Sequence, residues 1–205
     1  MRPARRPREP PVSSLAVTDA LLCGAAFWVA SRPALPPLLR ASAMTFAAAA
    51  LFGVLRFTGL HTHPFPQQWL TLIVGTAAFP ALAFAVARPS SRVTREPLPT
   101  LALLCALGVV GVLVVRGLEV RAYVDACAVL SVVAVFLAAR QRSDRIAGAG
   151  ALAMLVGLMC FAAKFPGNGP LAPGDLLHLG LATGWVLIAR SRLQGVSSQP
   201  PPSAR

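Results

Sequence analysis

The chain has 205 residues and a formal net charge of +12 at pH 7; 56% of its residues are hydrophobic, 13% are charged, and its mean hydropathy is +0.66. Soluble globular chains carry about 25% charged residues, so this one has too few charges to coat a water-facing globule. Disorder is excluded too, because it requires low hydrophobicity. An integral membrane protein remains.

The charge comes from 18 Arg and one Lys against seven acids. A pI near 11.6 in a soluble chain suggests nucleic acid, but here the arginines stand singly or in threes between apolar runs. That is the pattern of loop charges at a membrane surface. With one Tyr and three Trp there is no aromatic platform for bases, so the expected partner is the lipid bilayer, not nucleic acid. Protein partners are not legible.

Residues 1–14 are rich in Pro and Arg and read as a disordered basic arm. Seven apolar runs follow, at 15–31, 41–57, 67–87, 98–115, 120–139, 146–163 and 174–189. Such runs reach roughly 24–32 Å as helices, against a hydrocarbon core of about 30 Å. They are too long and too evenly apolar for barrel strands, which alternate every second residue. The first run follows a basic stretch, as in a signal peptide, but Asp19 inside it argues for a retained helix. The links are short and rich in Pro, which favours antiparallel neighbours. Pro80 inside the third run is expected to kink that helix. Residues 191–205 read as a disordered tail. The reading is an all-α integral membrane bundle of seven transmembrane helices over 15–190, with up-down topology, or six helices if one of the shortest runs does not span.

Seven crossings put the termini on opposite sides. One side collects eight Arg/Lys, four of them in the arm, and the other collects eleven. Cytoplasmic loops carry the excess of Arg and Lys, so the N-terminus is expected outside and the C-terminus in the cytoplasm.

Acids and histidines are few, and their placement is uneven. Asp19, His61, His63, Glu119, Asp125, Asp175 and His178 all fall toward the N-terminal side, whereas the opposite side is mainly Arg. Ionisable groups inside a membrane are costly and are candidates for function. In the last run, Asp175, His178, Ala182 and Trp185 share one helical stripe, while Gly180 and Gly184 form a G-x-x-x-G on the other. Asp175 also suits a helix start. Asp19 and Arg56 reach similar depth on antiparallel helices, which predicts a structural ion pair. His61 and His63 form a His-x-His that, with His178, supplies three nitrogens for a metal, zinc first. Cys23, Cys105, Cys127 and Cys160 lie in four different runs, without C-x-x-C spacing, and read as packing residues. No P-loop, nucleophile elbow or dinucleotide fingerprint is present.

Seven helices, Thr18-Asp19 at the start of the first and Asp175-x-x-His178 opening the last resemble an uncharacterised family of small bacterial seven-helix membrane proteins. That family is distantly similar to the superfamily joining alkaline ceramidases to adiponectin-type receptors. The resemblance implies an inner-membrane protein and a zinc held by three histidines. It further implies hydrolysis of a lipid amide assisted by an Asp and a Ser. His178 maps onto the motif; helix two carries no histidine, and Ser42 lies at its other end. On that reading Asp175 or Asp19 acts as general base on a metal-bound water, with His178, His61 and His63 as metal ligands. The competing class is a non-enzymatic structural or accessory membrane subunit whose polar residues only lock helices together.

Overall fold

A computed structural model describes residues 13–60, 63–166 and 171–191. The basic arm before Ser13, the tail after Ser191 and His61 lie outside the described residues. Seven long helices are present among those described: α1 (Ser14–Ala30), α2 (Pro37–Phe57), α3 (Phe65–Ala87), α4 (Pro97–Gly117), α5 (Ala122–Gln141), α6 (Arg145–Ala162) and α7 (Pro173–Arg190). A single helical turn, Arg92–Arg95, interrupts the α3–α4 link, and the described residues contain no strand.

The starts of these helices follow from local chemistry. Pro37, Pro66, Pro97 and Pro173 sit in the first two positions of α2, α3, α4 and α7, where the missing N–H costs nothing and φ is preset. Ser13 caps α1 by accepting from the Ala16 N–H at 3.3 Å, and Asp144 caps α6 by accepting from Ala147 at 3.0 Å. Arginines serve the other ends. Arg40 donates from Nε to the Ala30 carbonyl at 2.9 Å, and Arg142 donates to the carbonyls of Val86 and Ala87. Both close the carbonyl ends of helices that have no further turn to accept them.

Helices α2 to α6 are each long and apolar enough to cross a membrane. The other two differ. α1 has 17 residues, and α7 carries Asp175, His178 and Arg190 within 18. The chain is therefore an all-helical bundle with five candidate spans, compatible with a membrane protein. Seven crossings remain an expectation that α1 and α7 have to meet.

Neighbouring helices pack in sequence order from α1 to α3. α3 then lies on α5, α5 on α6, α6 on α7, and α7 returns to α1. Six helices thus close a ring, while α4 packs outside it, mainly against α3. Burial records the difference: 61% of the α3 span is buried and 11% of the α4 span, although α4 is the most apolar of the five. Inside the ring, Phe46 of α2 stacks edge-on against Phe79 of α3 and Trp185 of α7, with centroids 4.9 and 5.2 Å apart. Leu38, Leu82, Met154, Val132 and Ile188 complete this fully buried core.

The expected kink in α3 takes the form of a wide turn. Residues Val74–Ala78 are π-helical immediately before Pro80, whose ring cannot fit a tight preceding turn. Ser42 of α2 donates to the Ala78 carbonyl there at 2.6 Å. Thr76 fills the space that a Cβ would need on Gly111 of α4, which is how the peripheral helix comes close.

The α6–α7 contact is the closest in the bundle. A Cβ on Gly180 would lie 2.6 Å from the Ala153 carbonyl, and one on Gly184 would lie 2.8 Å from the Gly150 carbonyl. Reciprocally, Cβ atoms on Gly150 and Gly157 would lie 3.0 Å from the carbonyls of Gly184 and Leu176. The G-x-x-x-G of α7 thus meets Gly150 and Gly157, seven residues apart on α6, and backbone touches backbone.

Candidate polar site at one end of the bundle

Thr18, Asp19, Asp175 and His178 converge where the first turns of α1 and α7 meet. α7 begins after a Pro–Gly pair, so Asp175 occupies its third position and its carboxylate turns back on the helix start. Oδ2 accepts from the Ala172 N–H at 2.7 Å, half of a capping box. Its Oδ1 accepts from the Thr18 hydroxyl at 2.8 Å, across a sequence separation of 157 residues. The side chain is fully buried, and both its oxygens are bonded. Asp175 is thus the helix-start acid the sequence suggested, and it also clamps α1 to α7.

His178 lies one turn further along α7. Its Nδ1 lies 3.3 Å from Asp19 Oδ1 and 3.4 Å from Thr18 Oγ1. The Thr18 proton is committed to Asp175, so toward the ring Thr18 offers only lone pairs, as does an ionised Asp19. Where Asp19 is ionised, both neighbours of Nδ1 accept, and the ring proton falls on Nδ1. In a neutral imidazole Nε2 is then the acceptor, available for a proton or a ligand. The His178 side chain is 18% exposed, against 4% for that of Asp19, so the ring is the reachable part of the cluster.

Asp19 is packed tightly on its other side. Its carboxyl group occupies the volume that a Cβ on Gly53 of α2 would need. Its Oδ2 is buried and meets no donor among the described residues. A carboxylate with one oxygen bonded to an imidazole and the other unsatisfied is a costly arrangement, and such groups concentrate at functional positions.

The expected Asp19–Arg56 ion pair does not form. Arg56 stands in the last turn of α2, where its long side chain reaches outward and donates to Gln67 Oε1 of α3 at 2.8 Å. The α2 residue that faces Asp19 is Gly53, one turn deeper. Nor do the described residues bring the metal-ligand candidates together. His63 is exposed in the link before α3, and His61 lies outside the described residues. Among those described, no group of three or more His, Cys, Asp or Glu is arranged to hold a metal.

Two participants were beyond sequence reasoning. The Asp19–His178 contact needs α1 beside α7, which no local pattern encodes. Gly53 had a faint signal, as a lone glycine in the alanine-rich second helix at the depth of Asp19.

Comparison of the chain with protein-family models, with curated proteins and with solved structures finds no match.

Proposed function

We propose that the chain is a multi-pass protein of a bacterial inner membrane, crossing it seven times with the C-terminus in the cytoplasm, and that its polar end is an acid–base site. The observation that carries this reading is the 3.3 Å contact between His178 Nδ1 and the buried Asp19 carboxyl, which with Asp19 ionised leaves Nε2 as acceptor. A carboxylate that fixes the tautomer and orientation of a histidine makes the other nitrogen the working atom. The chemistry that fits best is hydrolysis of a lipid amide. Nε2 takes a proton from water as the oxygen attacks the amide carbonyl carbon. The proton then passes to the leaving nitrogen as the C–N bond breaks, giving a fatty acid and an amine. His178 is the base, Asp19 its positioning residue, and Asp175 the clamp that sets Thr18 beside them. Zinc, which the resemblance implies, enters as something to measure, and no step above runs through it.

The test is turnover of long-chain N-acyl amides by the detergent-purified protein. His178→Gln is expected to remove it, and Asp19→Asn to lower it about 10²–10⁴-fold with a changed pH profile. Metal content is read on the same samples. Absence of turnover in the wild type, or its survival in His178→Gln, would overturn the hydrolase. The second reading, a non-enzymatic subunit, is favoured by the Thr18–Asp175 bond, which ties two helices with no chemistry required. It predicts that the same variants change stability alone.

Orientation has its own test. A reporter active only in the cytoplasm, fused after Arg205, is expected to work. A periplasmic reporter active at that position would reverse the assignment.

A further inference from the structure

The opposite end of the bundle gathers nine arginines among the described residues, from Arg32 to Arg190, against two carboxylates. Both carboxylates are engaged: Glu96 pairs with Arg92 at 3.3 Å, and Asp144 caps α6. Arg40, Arg95 and Arg142 donate to backbone carbonyls. Two others converge. Arg32, just beyond the end of α1, places its guanidinium 3.7 Å from the centroid of the Trp28 ring, and Arg190, in the last turn of α7, lies 5.8 Å from the same centroid. Both are exposed, and neither has a carboxylate within ion-pair distance among the described residues. An arginine stacked on an indole leaves the edges of its guanidinium free to bind an oxyanion such as carboxylate or phosphate. At the same end, α2, α3 and α7 leave a small apolar recess of about 20 Å³, lined by Leu39, Val86 and Ile188 among others.

We infer that Trp28, Arg32 and Arg190 form a binding site for the phosphate of an anionic glycerophospholipid, whose adjoining apolar part lies against the recess. Phosphate suits a pair of guanidinium groups, which bind it bidentately. A lipid is favoured over free phosphate because both arginines stand at the ends of α1 and α7, where the membrane reading places lipid headgroups. The inference rests on the membrane reading above and is independent of the hydrolase.

The test is the thermal stability of the full chain in a neutral detergent with phosphatidylglycerol, phosphatidylcholine or inorganic phosphate added. A ligand that binds only the folded state raises Tm with its concentration. Phosphatidylglycerol is expected to raise it about 4 °C more than phosphatidylcholine, a size typical of about 1 kcal/mol of binding. Arg32→Gln with Arg190→Gln is expected to lose at least half of that difference, whereas Arg92→Gln with Arg95→Gln keeps it. Retention of phosphatidylglycerol by native mass spectrometry gives a second readout, with Arg32→Lys and Arg190→Lys as the milder pair should the Gln pair fold poorly. Full retention of the shift in the Gln pair, or an equal effect of phosphatidylcholine, overturns the site. An equal effect of inorganic phosphate overturns the lipid assignment. Release of the wild type from membranes by alkaline carbonate defeats instead the membrane reading beneath it.

Discussion

Gly180→Leu is expected to prevent the bundle from forming, with the protein losing its monodisperse peak in detergent and its cooperative melt. The first atom of any new side chain at Gly180 would sit 2.6 Å from the Ala153 carbonyl oxygen, and Gly157 lies directly behind it. Neither neighbour is a flexible side chain that can swing away, so α6 and α7 have to separate. Separation uncouples the other three glycines of the contact as well. Overpacking of a tight core costs about 1–3 kcal/mol and more when backbone has to move, and this substitution belongs at the upper end. Gly108→Leu on α4 and Gly24→Leu on α1 are the controls. A Cβ at either meets nothing within 4 Å, so both are expected to melt within a degree or two of the wild type. If Gly180→Leu melts alongside them, the α6–α7 contact is not as close as described.

Asp175→Ala is expected to be the most destabilising single change at the polar end. It removes the carboxylate that accepts from the Ala172 N–H, worth about 1 kcal/mol, and the bond from Thr18 across the helices, worth about 1 kcal/mol more, with the Thr18 hydroxyl falling back on the Ser14 and Leu15 carbonyls of its own helix. Thr18→Val alone leaves Asp175 Oδ1 without its partner across the helices. The double variant then loses less than the two singles together, because neither group is left waiting for the other. A coupling of about 1 kcal/mol from four thermal or denaturant melts is the expected result. Strict additivity would show that the 2.8 Å bond does not hold α1 to α7. Turnover measured on the same four proteins separates the clamp from the base, since neither substitution removes His178.

Much of the fold could be read along the chain because its signals are local. Apolar runs long enough to span, and prolines where helices begin, place all seven long helices to within a few residues. The glycines of α7 announced a close neighbour in the same way. The ring could not be read: nothing in the composition of α4 says that it stands outside, and its apolarity suggested a buried helix as readily as a peripheral one. The polar site was legible in its members and illegible in its pairings. Asp19, Asp175 and His178 stood out because charge is rare in such runs. Their partners depend on which helices touch and on how each is rotated. Arg56 looked right by depth and was wrong by rotation, since the α2 face turned to Asp19 presents Gly53. The paired oxygens of Asp175 and the contact of His178 with Asp19 are properties of the assembled ring alone.

The return of α7 to α1 bears on how the protein is made. Thr18 meets Asp175 only after a further 157 residues, Asp175 included, have been synthesised, on the order of ten seconds at ribosomal rates. Throughout that interval Asp19 has no imidazole to meet, and a lone aspartate in a nascent helix opposes insertion by up to about 3 kcal/mol. α7 faces a similar penalty from its own aspartate, histidine and arginine, and α6, docked through glycines, is the partner that can draw it in. On the membrane reading, the first helix is thus held by the last, and a chain arrested before α7 carries an Asp19 that has not met His178.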